Sequence, residues 1–127
     1  MEDEYKKKLS PERYDVLRES ATEPPFSGEF VNHHENGEYT CGACGEVLFT
    51  SNHKFDSDCG WPSFYDVSNT SAVRLVEDRS HGMRRVEVKC AKCDSHLGHV
   101  FKDAPDQPTG LRYCINSLAL DFIKKDK

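Results

Sequence analysis

Period-two patterning marks the second half of the chain. Val86, Val88 and Cys90 alternate with Arg85, Glu87 and Lys89, and Leu118, Leu120 and Phe122 alternate with Ala119, Asp121 and Ile123. Side chains of a strand point to opposite faces in turn, so this is the pattern of strands with one buried face. These two runs predict strands at 83–90 and 118–123, and shorter apolar runs predict others at 38–41, 47–50, 72–76, 99–101 and 112–116. Gly, Asn, Asp and Pro separate them, as turns require. Asp78-Arg79-Ser80-His81-Gly82 reads as the loop of a hairpin between 72–76 and 83–90, and 103–110, with two prolines, as an exposed loop. One helix signal precedes the strands: Ser10 as N-cap, Pro11 at the first helical position and Leu9 with Tyr14 as a hydrophobic staple. It should end near residue 20, ahead of Glu23-Pro24-Pro25. The expectation is a mainly β fold with antiparallel pairing, in which residues 1–21 form a helical extension and 22–127 a single β domain.

Cysteine spacing adds chemistry to that frame. Cys41/Cys44 and Cys90/Cys93 are two Cys-x-x-Cys pairs with 45 residues between them, which leaves Cys59 and Cys114 of the six cysteines over. A turn with two intervening residues points both sulfurs at one ion, and two such turns complete a tetrahedral four-sulfur shell. Gly42, Ala43 and Gly45, with Ala91, Lys92 and Asp94, are small or turn-prone, as a chain wrapping an ion requires. Zinc is the expected ion, although iron also suits four thiolates. A shell of four protein ligands has no open position, so the metal should be structural and contribute about 10 kcal/mol or more to folding.

The charge balance excludes some classes of partner. With a formal net charge of −5 and a pI near 5.6, long-range attraction to nucleic acid or to an anionic membrane is not expected. Lys6-Lys7-Lys8 and Lys124-Lys125 read as solvated tails. No apolar run approaches a membrane span, and Met1-Glu2-Asp3-Glu4 lacks secretory character, so a cytoplasmic location is expected. Thiolates reserved for a metal survive best in such a reducing compartment.

A second sulfur chemistry is written around the remaining cysteines. In Arg112-Tyr113-Cys114-Ile115-Asn116-Ser117, a strand would put Arg112, Cys114 and Asn116 on one face and Tyr113 and Ile115 on the other. A cation beside a thiol favours the nucleophilic thiolate, and an amide can hold a polar group. His96 and His99, directly after the second metal pair, are the natural proton handlers, yet residues three apart on a regular strand face opposite sides. Both can serve one site only if Gly98 permits a bulge or a kink. His33, His34, His53 and His81 have no such context and are expected at the surface. Cys59 lies beside the single tryptophan, in Cys59-Gly60-Trp61-Pro62-Ser63-Phe64, a loop displaying an aromatic. Two spare cysteines, one beside charge and one on such a loop, suggest a nucleophile and a resolving partner.

Thr22-Glu23-Pro24-Pro25-Phe26, Cys59 to Phe64, His96-Leu97-Gly98-His99-Val100-Phe101 and Arg112 to Ser117, interleaved with the two metal pairs, closely resemble the methionine sulfoxide reductase B family over about residues 22–122. The resemblance implies two antiparallel sheets with short N-terminal helices and a zinc held away from the active site. It implies that Cys114 attacks the sulfoxide sulfur, that methionine leaves and that a sulfenic acid remains. Cys59 would resolve this as a disulfide, which thioredoxin reduces. Trp61 would contact the substrate methyl group, while His96, His99 and Asn116 would polarise the sulfoxide oxygen and handle its proton, with Arg112 beside the nucleophile. The substrate would be the R epimer at sulfur, in oxidised proteins, peptides or the free amino acid. Two other readings share the metal site. A zinc-ribbon binding module gives Cys114 no role, and a zinc hydrolase needs an open metal position that four thiolates deny.

Overall fold

A computed structural model describes residues 7–19, 21–31, 33–55, 60–69, 71–78 and 85–125. Among the described residues, helix α1 (Pro11–Glu19) precedes nine strands: β1 (Gly37–Cys41), β2 (Val47–Thr50), β3 (Lys54–Phe55), β4 (Ser63–Phe64), β5 (Val73–Asp78), β6 (Arg85–Cys90), β7 (His96–Phe101), β8 (Arg112–Ile115) and β9 (Leu120–Lys124). They form two sheets, ordered β2-β1-β9 and β3-β4-β8-β7-β6-β5. Among the described residues every pairing is antiparallel. The fold is thus mainly β, with two antiparallel sheets, as expected.

Aromatic rings join the sheets. Phe64 of the six-stranded sheet stacks on Phe49 of the three-stranded one at 4.4 Å and meets Tyr39 edge-on at 5.1 Å, and all three are fully buried. Large apolar side chains removed from water in this way supply the dominant favourable term in folding. Helix α1 buries Val16 and Leu17 in the same core. Its start is capped as expected, since Ser10 Oγ accepts the Arg13 N–H at 3.2 Å and Leu9 is buried. Arg13 then donates to the carbonyls of Leu118 and Leu120 at 2.9 and 2.8 Å, which pins the helix to the segment entering β9.

Several boundaries differ from the sequence expectation for identifiable reasons. Ser117–Ala119 form a 3-10 turn, so the predicted strand 118–123 starts at Leu120. Ala119 rather than Leu118 is the fully buried residue there. β7 begins at His96, three residues before the predicted start. β3 and β4 have two residues each, too short to show a period, and β4 falls in what reads as a loop. β5 and β6 pair in register as the predicted hairpin, whose turn, with His81 and Met83, lies outside the described residues. Two histidines expected at the surface are half-buried against rings: His33 packs on Phe122 at 4.3 Å and His53 on Tyr65 at 5.1 Å. His34 is exposed. Lys8 is not a free tail residue, since its Nζ donates to the Ala43 carbonyl at 2.7 Å.

The feature that matters most for the site is an irregularity in β7. Val88 of β6 faces Gly98 and Lys89 faces His96, so Leu97 is an extra residue in the ladder. The slip of one places His96 on the same face as His99, with ring centroids 5.6 Å apart. Gly98 makes the bulge possible, because a Cβ there would overlap the Cys114 carbonyl and the Ile115 backbone on β8. Gly98→Ala should therefore destabilise the fold by about 1–3 kcal/mol. Urea denaturation measures this, and an unchanged midpoint would mean that β7 and β8 are not in this close register.

Candidate active site

The two Cys-x-x-Cys segments are hairpin turns, one joining β1 to β2 and the other β6 to β7. They are built alike. Cys41 and Cys90 each accept, through their carbonyls, the N–H of the fourth residue on, Gly45 and Asp94, at 2.8 Å. Both donating residues have positive φ, +82° and +64°. Gly45 adopts this freely, whereas Asp94 is held there with its carboxylate paired to Arg74 and Lys89. The four sulfurs lie within 4.8 Å of one another, with Cys41–Cys93 at 3.6 Å and Cys44–Cys90 at 3.5 Å. A tetrahedral zinc with bonds of about 2.3 Å would space its sulfurs about 3.8 Å apart, so the set fits such an ion. Hydrogen bonding to Cys90 and Cys93, and burial, push the Cys41 thiol up. Thiolates this close repel one another, and a cation among them would relieve the repulsion. Arg18 of α1 donates to the Cys93 carbonyl at 2.8 Å and to Ser95 Oγ at 2.9 Å, and so braces the second turn.

Apart from this cluster, β7, β8 and the Trp61 loop enclose a cavity of ≈ 270 Å³ lined by Trp61, Arg85, His99, Arg112, Cys114 and Asn116. As the alternation of β8 predicts, Arg112 and Cys114 face this cavity while Tyr113 and Ile115 are part of the core. Cys114 is only 8% exposed, and Arg112 Nη1 lies 2.6 Å from its sulfur. The guanidinium is fixed from two further sides. Asp103 receives its Nε and Nη2 at 2.9 and 2.7 Å, and the Phe101 ring lies 4.6 Å from its Cζ. Arg112 in return holds the Asp103 carboxyl below its usual range.

Each histidine is held by a carboxylate from the neighbouring hairpin. His96 Nδ1 lies 2.7 Å from Glu87, and His99 Nε2 lies 2.8 Å from Asp78, which also faces Arg85 at 3.5 Å. Burial pushes His96 below the ordinary histidine value, against the opposing pull of Glu87. Asn116 is held twice: its Oδ1 accepts the Glu23 N–H at 3.0 Å and its Nδ2 donates to the Leu97 carbonyl at 2.9 Å. One amide hydrogen is left for the cavity. Trp61 donates its indole N–H to the Glu23 carbonyl at 3.0 Å. The cavity therefore brings together His99, Asn116, Arg112, Trp61 and Cys114, whereas His96 is buried beside His99 and does not line it, and Cys59 lies outside the described residues. Sequence reasoning missed the partners Asp103, Glu87, Asp78 and Glu23. Glu87 had a visible signal, since it lies on the polar face of the clearest period-two strand.

Two expectations follow. Replacing Cys44 with Ser should remove most of the bound zinc and destabilise the protein by several kcal/mol, about the loss of one structural ligand set. Elemental analysis with thermal melting checks this, and a full zinc with an unchanged Tm would contradict the four-sulfur site. For His96, a lowered folded-state pKa means the unfolded chain binds its proton more readily. The stability it contributes is present above about pH 6.5 and is lost as pH falls from there through the lowered value. In an NMR titration the His96 ring should stay neutral below pH 6.5, and a midpoint above that value would contradict the burial argument.

Comparison with known proteins bears on this arrangement directly. Residues 9–124 match the SelR domain family. The chain is 58% identical over 123 residues to a protein of Thiobacillus denitrificans called peptide methionine sulfoxide reductase MsrB, a match covering 97% of this chain and 92% of that one. It is similarly 59% identical over 126 residues to the protein of that name from Methanosarcina barkeri, covering 99% and 88%, and 60% identical over 124 residues to that of Bradyrhizobium diazoefficiens, covering 98% and 88%. The crystal structure of the Mis18 'Yippee-like' domain, 17% identical, superposes with a TM-score of 0.56 over 73% of this chain and all of its own, and is similar in fold alone. By the family match over most of its length and these identities, the chain belongs to the SelR-domain family, that of the MsrB peptide methionine sulfoxide reductases.

Proposed function

We propose that this oxidoreductase reduces the R epimer of methionine sulfoxide, in peptides or as the free amino acid, using Cys114 as nucleophile. The observation that carries this reading is the Arg112 guanidinium 2.6 Å from Cys114 Sγ, inside a cavity that also presents Trp61 and His99. A cation donating to sulfur favours the thiolate, and neither a zinc ribbon nor a zinc hydrolase has a use for it. Both histidines are engaged by carboxylates and are not among the clustered metal ligands.

The chemistry then balances. The Cys114 thiolate attacks the sulfoxide sulfur, and a proton from the histidine side of the cavity goes to the oxygen. The oxygen ends on Cys114 as a sulfenic acid, and methionine leaves reduced by two electrons. The Cys59 thiol displaces that oxygen as water and forms a disulfide with Cys114, and a thioredoxin-type dithiol returns both to thiols. His99 lines the cavity and is the nearer candidate for the proton, with His96 behind it. Asn116 offers its remaining amide hydrogen to the oxygen, and Trp61 forms an apolar wall for the methyl group. A zinc bound by Cys41, Cys44, Cys90 and Cys93 would hold the two sheets together and supply no other chemistry. Four metal thiolates suit the reducing cytoplasm. No helix among the described residues is long and apolar enough to cross a membrane.

Cys114→Ser should abolish reduction even with a small dithiol as reductant, because a hydroxyl is a far weaker nucleophile toward sulfur. Cys59→Ser should complete one turnover, leave a sulfenic acid that dimedone traps on Cys114, and fail to cycle with thioredoxin. Substantial steady-state turnover by Cys114→Ser would place the nucleophile elsewhere, and normal cycling of Cys59→Ser would take the resolving role from Cys59.

A further inference from the structure

We infer that Glu23 is a positioning residue of this site, its carboxylate locking the segment 22–30 so that its backbone sets Trp61 and Asn116. Glu23 is 3% exposed, and three of its polar contacts converge on the cavity walls. Its Oε1 accepts the Leu118 N–H at 2.8 Å, inside the turn that follows β8. Its backbone N–H goes to Asn116 Oδ1 at 3.0 Å, and its carbonyl receives the Trp61 indole at 3.0 Å. One residue thus touches both sides of the cavity, and its side chain is the anchor that fixes where its backbone lies.

The surroundings are built for that anchor. A Cβ on Gly28 would overlap both the carboxylate and the Ser117 hydroxyl, so the segment folds back onto Glu23 with no room to spare. Ser117 Oγ accepts the Phe30 N–H at 3.2 Å, and Phe26 N–H donates to the Gly60 carbonyl at 2.7 Å, next to Trp61. Burial pushes the carboxyl above its usual range, against donors at Leu118 and Ser117. The Leu118 N–H requires of this side chain an acceptor of the right reach. An amide meets that requirement, because its carbonyl oxygen can take the Leu118 N–H.

The inference rests on Cys114 and Trp61 forming the reaction site, and the chain's single tryptophan gives it a readout of its own. In the zinc-loaded full chain, Glu23→Ala should shift the Trp61 emission to the red and make it quenchable by iodide. It should also raise KM for methionine sulfoxide by about tenfold, more than it lowers kcat, as a displaced binding wall does. Glu23→Gln should restore both emission and KM to near the parent values. Parent emission and KM in Glu23→Ala would overturn the inference. So would a Glu23→Gln chain with the red shift and raised KM, and this arm decides alone if Glu23→Ala does not fold. A parent protein inactive on every sulfoxide would remove the functional reading yet leave the emission result to stand or fall separately.

Discussion

Four sulfurs within 4.8 Å of one another tie a hairpin end of one sheet to a hairpin end of the other. Buried thiolates at that spacing repel one another, and a cation among them would relieve that repulsion at the point where the two sheets meet. Both turns close with the same backbone bond and the same positive φ, although one uses glycine and the other an aspartate restrained by two cations. The helical region serves these turns too, through Lys8 on the first and Arg18 on the second. The chain leaving the second turn enters β7 at once. A fixed Cys93 therefore fixes Ser95 and His96, and with them the start of the bulge.

From that start the site is assembled out of committed side chains. Arg112 is shared among Asp103, Phe101 and Cys114, and the histidines are each claimed by one carboxylate of the β5–β6 hairpin. Asn116 has one hydrogen to spare. Groups held in this way lose little freedom when substrate binds and need little reorganisation when charge moves. The arrangement also separates the cysteines: four cluster at the two turns, and Cys114 lies apart from them beside Arg112.

Much of this was legible in the sequence, and the reasons differ by feature. The cysteine pairs and the Arg112–Cys114 face could be read because turn spacing and strand alternation are local rules. The need for a bulge at Gly98 was legible as a conflict, two histidines three apart on one strand, and the register of β6 and β7 resolves it. The carboxylates that hold the histidines were not, because Asp78 and Glu87 reach them across a sheet. The burial of His33 and His53 escaped notice for a similar reason, since their packing rings come from other segments. The 3-10 turn at Ser117–Ala119 continues an apolar run, and periodicity alone cannot distinguish it from strand.

The central claim, that this cavity reduces a sulfoxide at Cys114 with stereochemical choice, is tested most directly by an epimer-resolved assay. The zinc-loaded protein is given equal amounts of the R and S sulfoxides of an N-acetylated methionine peptide, with thioredoxin, its reductase and reductant, and both epimers are followed by chromatography. The account predicts that the R epimer is consumed with matching methionine formation while the S epimer stays at its starting level. Persistence of the R epimer, or equal loss of both, would contradict it.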